Sequence, residues 1–229
     1  MNVGIARFIA GASLFAIATI AHANTTNDAF IDVANSVSFD GWNQLNRNRV
    51  DTDGNANPLT SAQLAAGTAG NVTGSGDALL TLISGSHYPA GAGLYGGPST
   101  FTFTDNTVDN AATSLVFQGI INDFSAIMGG GDISFTLSYN GGSQNIAGNL
   151  VEFVNTDGIS DYYQYTWDFS NLGETISSYT INFGIGYSQL LAFQIDQVAA
   201  VPEPETYAML MLGLGIMGFA ARRRSNPRI

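Results

Sequence analysis

The chain has 229 residues, no cysteine and a formal net charge of −11. Without cysteine there are no disulfides, no thiol nucleophiles and no thiolate metal sites. An acidic balance of this size repels phosphate backbones, which excludes nucleic acid as a partner.

Residues 1–23 have the pattern of a secretory signal peptide. Arg7 supplies the positive charge, Phe8 to Ile20 the apolar run, and Ala21 and Ala23 flank His22 in a small-residue cleavage pattern for signal peptidase. Residues 24–200 are then expected to form one domain, long enough to bury a core. This body has no lysine; sixteen Asp and Glu stand against Arg47 and Arg49, a net charge near −14 that the arginines of the tail partly conceal.

Period-two alternation of apolar and polar residues runs through the body. It predicts strands at Val33–Phe39, Ala78–Ser84, Thr100–Thr104, Ser114–Ile121, Ile133–Tyr139, Leu150–Asn155, Tyr163–Phe169, Tyr179–Ile185 and Leu190–Val198. Asn140-Gly141-Gly142 is a turn able to supply positive φ. Strands separated by Gly, Asn and Asp turns point to an all-β chain, an antiparallel β-sandwich that is jelly-roll-like. Phe193-Gln194-Ile195-Asp196-Gln197-Val198 resembles the closing strand of carbohydrate-binding jelly rolls, a likeness of a few residues only.

Two stretches break the alternation and are where a binding surface is expected. Asn43 to Asp77 is polar and glycine-rich, with a short helix from Leu59 to Ala66 stopped by Gly67; Gly85 to Pro98 is a second loop. Asp51, Asp53, Asn55 and Asn57 place oxygen ligands at alternate positions around Gly54, so a Ca²⁺ ion is the candidate cofactor, although the spacing departs from the EF-hand loop. The two aspartates could equally balance Arg47 and Arg49. Trp42, Tyr88 and Tyr95 fall in or beside the loops and could stack on sugar rings, while Trp167, on the aromatic face of its strand, belongs in the core.

Catalytic groups are scarce. His87 is the sole histidine of the body, too few for a multi-histidine zinc site, and reads as a solvated loop residue. Glu152 and Glu174 are the body's glutamates; Glu152, inside a strand, could face a concave sheet surface, but sequence alone cannot bring a second carboxylate to it for glycoside hydrolysis. The chain is therefore read as non-enzymatic.

Residues 201–229 have a different character. Val201-Pro202-Glu203-Pro204 is a stiff extended spacer, and Tyr207 to Ala221 carries no charge before Arg222, Arg223 and Arg224. As a helix the apolar run spans about 22 Å, short of the ~30 Å hydrocarbon core. Local thinning and snorkelling arginines would cover the difference, with the arginines on the cytoplasmic side. Gly213, Gly215 and Gly218 match the dinucleotide fingerprint, but their apolar flanks make them small residues for close helix contact in lipid.

Pro-Glu-Pro, apolar segment and arginine triplet, in that order, resemble a PEP-CTERM sorting signal. The resemblance covers about residues 201–224. It implies export across the inner membrane of a Gram-negative bacterium that makes extracellular polysaccharide, a transiently membrane-anchored precursor, and cleavage near Pro-Glu-Pro by an exosortase-type protease. It concerns the address of the chain, not its activity. The expected role is a structural or adhesive protein of the cell surface or matrix. A carbohydrate-binding module in contact with extracellular polysaccharide is the alternative, followed by a secreted glycoside-active enzyme.

Overall fold

Alternating side chains give each strand one apolar face, and two sheets bury those faces against each other. The computed structural model describes residues 30, 32–50, 54–124, 133–142, 144–155, 160–200 and 210–217. In chain order the elements are β1 (Ser36–Trp42), α1 (Ser61–Ala66), β2 (Thr68–Ala69), β3 (Leu79–Gly85), β4 (Tyr88–Pro89), β5 (Leu94–Gly96) and β6 (Ser99–Asp105). They continue with β7 (Ala112–Asp123), β8 (Ser134–Tyr139), β9 (Ile146–Ala147), β10 (Asn149–Asn155), β11 (Ser160–Asp168), β12 (Tyr179–Ile185) and β13 (Ser188–Ala199).

One sheet runs β10-β11-β7-β13-β5-β4, with β1 also paired to β13; the other runs β2-β3-β6-β12-β8-β9. The chain is all-β, every strand pair is antiparallel, and each of the nine predicted strands overlaps an observed one. The first begins at Ser36, later than its apolar pattern, because Asn35 takes φ +62 and the Ser36 N–H turns back to the Val33 carbonyl at 3.2 Å. The helix begins at Ser61, where Thr60 and Gln63 form a reciprocal capping box, and ends at Gly67 with φ +97.

Phenylalanines carry the core. Phe103, Phe135 and Phe183 from the six-stranded sheet meet Phe117 and Phe193 from the seven-stranded sheet, with Phe117–Phe135 centroids 4.6 Å apart and Phe103–Phe193 5.2 Å. Gly119 on β7 makes room for them: a Cβ there would lie 3.0 Å from both Phe117 and Phe193 ring atoms. A bulge between Leu190 and Ala192 resets the alternation of β13, so that Leu190, Phe193 and Ile195 all face the core.

Phe135 touches Phe117, Tyr165 and Phe183, and Phe135→Ala should cost about 3–5 kcal/mol. Thr136, on the half-buried opposite face, should lose under about 1 kcal/mol as Thr136→Ala. Denaturant melts of the two variants check this; equal losses would contradict the assigned faces.

Candidate functional site

The exposed aromatics gather at one corner of the seven-stranded sheet. Tyr88 and Tyr95 are direct partners in the β4–β5 hairpin, with neighbours Pro89 and Leu94 turned inward. The hairpin joins the sheet through Ser188–Leu190 of β13. Gly93 permits this junction, since a Cβ there would lie 2.2 Å from the Leu190 carbonyl oxygen. The Arg47 N–H and the Asn48 side-chain amide hold the hairpin turn through the carbonyls of Ala90 and Gly91. Tyr88 is 48% exposed and Tyr95 37%. Their rings stand 85° apart with centroids at 6.3 Å, and Phe124 lies 6.3 Å beyond Tyr95. Tyr187, also exposed, lies against Gly97 next to the hairpin. Perpendicular rings make a notch, so a sugar can stack on one ring at a time and meet the edge of the other.

Trp42, the third expected sugar contact, is not part of this corner. It is 1% exposed, packs on Phe103 at 5.1 Å and donates its indole N–H to the Thr68 carbonyl at 3.0 Å. Its ring is core and cannot stack on a ligand. Trp167 is likewise core. Glu152 sits opposite Gln164 in the β10–β11 pair.

The proposed Ca²⁺ loop is closed at its base by a bridge between Val50 and Ala56. Asp51 and Asp53 lie outside the described residues. Asn57 is committed to Arg49 on both main-chain groups: its N–H donates to the Arg49 carbonyl and its carbonyl accepts the Arg49 Nε–H, each at 2.9 Å. Among the described residues no group of three or more His, Asp or Glu is arranged to hold a metal ion. Beside this loop lies an open cleft of about 490 Å³, bordered by Arg49, Val50, Thr68, Asn71, Val72 and Thr73.

Comparison with known proteins bears on the tail alone. Residues 200–224 match the family model of the PEP-CTERM protein-sorting motif. No curated protein and no solved structure gives a significant match to the chain. The motif begins one residue after β13 ends at Ala199. Its Val201, Pro202, Glu203, Pro204, Arg222, Arg223 and Arg224 lie outside the described residues, as do Ala21 and Ala23 of the expected signal peptide. Within the motif, residues 210–217 are helical, with Leu210, Met211, Leu212, Leu214, Ile216 and Met217 exposed. Among the described residues no helix is long and apolar enough to cross a membrane, so of the expected transmembrane helix this central apolar segment alone is seen.

Sequence reasoning missed a set of buried polar groups. His87, expected to be solvated, is 2% exposed and lies between two serines, Nδ1 at 2.7 Å from Ser99 Oγ and Nε2 at 3.0 Å from Ser188 Oγ. Burial pulls its pKa down to about 4. At one end of the sandwich the core itself turns polar. The Gln197 side-chain amide donates to Asp105 at 2.7 Å, and Asp40 accepts the Ala78 N–H at 3.2 Å. The fully buried Tyr179 hydroxyl, close to these carboxylates, makes no well-formed hydrogen bond. Burial, then Asp105, raises the Asp40 pKa to about 7. On the outer face of β13, burial lifts Asp196 to about 6 against the opposing hydrogen bonds from Gln194 and Ser36, both 2.8 Å. Buried polar side chains on a strand whose alternation reads as solvent-facing leave no signal in one sequence.

The two signs give the domain a pH optimum. Raised carboxyl pKa values mean that Asp40 and Asp196 stabilise the fold fully below the ordinary carboxylate range, and that this is lost as pH rises through about 6 to 7. His87 acts oppositely, with a contribution complete above about 6.5 and lost as pH falls through about 4. Thermal midpoints should therefore be higher near pH 5.5 than at pH 8.5. Asp40→Asn should narrow that gap from the alkaline side, by about 2–4 °C per kcal/mol recovered, while exposed Glu174→Gln should leave it unchanged. Parallel profiles for Asp40→Asn and the unsubstituted protein would refute the assignment.

Proposed function

We propose that the chain is a secreted, exosortase-sorted protein of the cell surface or extracellular matrix, and that its β-sandwich has a non-enzymatic structural or adhesive role. The observation that carries this reading is the PEP-CTERM motif at residues 200–224, which follows β13 without a linker. Cleavage near Pro202-Glu203-Pro204 would release a sandwich with every strand intact. In this reading signal peptidase removes residues 1–23 and the apolar stretch from Tyr207 to Ala221 holds the precursor in the inner membrane of a Gram-negative cell. The jelly-roll type is supported by the connections, since β6, β7 and β8 alternate between the two sheets. A non-enzymatic role is supported by His87, the body's histidine, being sealed between two serines and away from solvent.

The exposed tyrosine pair favours a second reading, carbohydrate binding. Tyr88 and Tyr95 are exposed side by side at a sheet corner, a placement that suits sugar stacking.

Intact-mass analysis of surface material from a host with the sorting protease should show loss of Arg222–Ile229; a full-length tail there would defeat the sorting reading. For the tyrosines, Tyr88→Ala/Tyr95→Ala should reduce retention on the producing strain's neutral polysaccharide by roughly tenfold, about 1–3 kcal/mol for lost ring contacts. Retention equal to that of the parent protein would remove the carbohydrate reading at this corner and leave the structural one.

A further inference from the structure

Arg49 is one of two cations in a body of net charge near −14, and it is the buried one. The residue is 9% exposed, its guanidinium donating Nε–H to the Asn57 carbonyl at 2.9 Å and Nη1–H to Thr68 Oγ1 at 3.3 Å. A guanidinium carries five N–H donors, so these bonds leave others uncommitted. Among the described residues no carboxylate forms an ion pair with it. Removing a cation from water is costly, and here burial lowers the Arg49 pKa. A largely buried cation whose partners among the described residues are neutral can offer its remaining donors to an external anion.

The surroundings specify the anion. Arg49 borders the open cleft of about 490 Å³, within the ~300–1,000 Å³ range of small-molecule sites. Thr68 and Thr73 line it together with Val50 and Val72. Asn71 is fixed in place, its Oδ1 accepting the Asn43 N–H and its amide donating to Asn43 Oδ1. Threonines and valines beside one guanidinium suit a ring that carries several hydroxyls and one carboxylate.

We propose that this cleft binds a hexuronate unit of an acidic saccharide, its carboxylate held by the Arg49 guanidinium. The choice of a saccharide rests on the reading of the domain as an exported protein that meets polysaccharide. The cleft itself is independent of the tyrosine corner. A guanidinium fork matches a carboxylate in two parallel hydrogen bonds, and a partly buried pair is screened by salt far less than an exposed one. No bridging divalent cation is needed for this contact, whereas long-range repulsion from the body disfavours a densely charged polymer.

The test is calorimetric titration of the exported protein with trigalacturonate, in chelator, against its fully methyl-esterified form. Binding of the acid, at least tenfold weaker for the ester, is expected. Arg49→Gln should abolish it, Arg49→Lys should weaken it because the fork is lost, and exposed Arg47→Gln should leave it unchanged. Should Arg49→Gln fail to fold, nitrogen-15 spectra of the unsubstituted protein remain decisive: the Arg49 Nε–H and the backbone amides of residues 68–74 should shift on titration. Equal affinity for acid and ester, or no binding by either, would overturn the assignment even where tail processing is intact. Binding of a peptide through its terminal carboxylate in preference to the trisaccharide would overturn the saccharide class. Binding that appears only in Asp51→Asn/Asp53→Asn would show that the loop's own carboxylates occupy the guanidinium, which also overturns it.

Discussion

Burial of β13 on both faces is the constraint that the rest of the sandwich answers to. From Ala192 to Gln197 every residue of this strand is buried. Phe193 and Ile195 fill the core on one side; Gln194 and Asp196 point out the other and are also shut off from water. A polar group in that position costs free energy unless it is hydrogen-bonded. Asp196 is therefore held by Gln194 and Ser36, and Gln118, the cross-strand partner of Gln194, accepts from the Tyr162 hydroxyl at 2.8 Å. Phe30 closes this face by packing on Tyr162 and Ala192. The outer surface of the seven-stranded sheet thus carries a second, polar layer beneath the segment that precedes β1. The strand also fixes the exposed aromatic corner, because its first residues carry the β4–β5 hairpin with Tyr88 and Tyr95.

Strand positions were legible because each strand has one apolar face, and alternation reports that directly. It does not report what covers the other face. Gln194 and Asp196 look solvated in sequence for that reason, and burial of this kind emerges only when distant segments meet. His87 shows the same limit: its serine partners are 12 and 101 residues away. Trp42 was misplaced because Gly41 and Asn43 flank it with turn-like residues. In the structure β1 runs on through Trp42, whose indole N–H finds Thr68 across the neck of the long loop. The exposure of Tyr88 and Tyr95 was legible, since loop aromatics beside small residues have little to pack against. Arg49 was visible only as a charge with two aspartates near it in sequence. Its bonds to Asn57 and Thr68 follow from a loop closing on itself at Val50 and Ala56, which no periodicity announces.

The acidic character of the body is not spread evenly over its surface. Asp40, Asp105, Asp161 and Asp196 are buried, and two of them have pKa values raised toward neutrality. Near pH 6 Asp40 and Asp196 spend part of their time protonated, so the effective charge of the folded body is less negative than a residue count gives. Arg49 stands apart from this compensation. Like the buried aspartates it has neutral hydrogen-bond partners among the described residues, but its charge is positive.

The order of the chain couples completion of the fold to the sorting tail. β13 is the last strand in sequence yet central in its sheet, pairing with β7 on one side and with β1 and β5 on the other. Until it is in place, Phe117 and Phe103 lack Phe193, and Gln118 lacks its cross-strand neighbour. Long-range pairing of this kind forms late, because loop closure costs entropy before the contacts repay it. Since the sorting motif starts one residue beyond β13, the final strand reaches its partners only when the apolar tail is itself emerging. With that tail held at the membrane, as the sorting reading has it, the sandwich closes at the bilayer surface. In that reading the sorting protease acts on a chain whose strand next to the motif is already paired with β1, β5 and β7. Pro202 and Pro204 have no N–H to donate, so the hydrogen-bond ladder of β13 has a chemical stop just beyond its last residue.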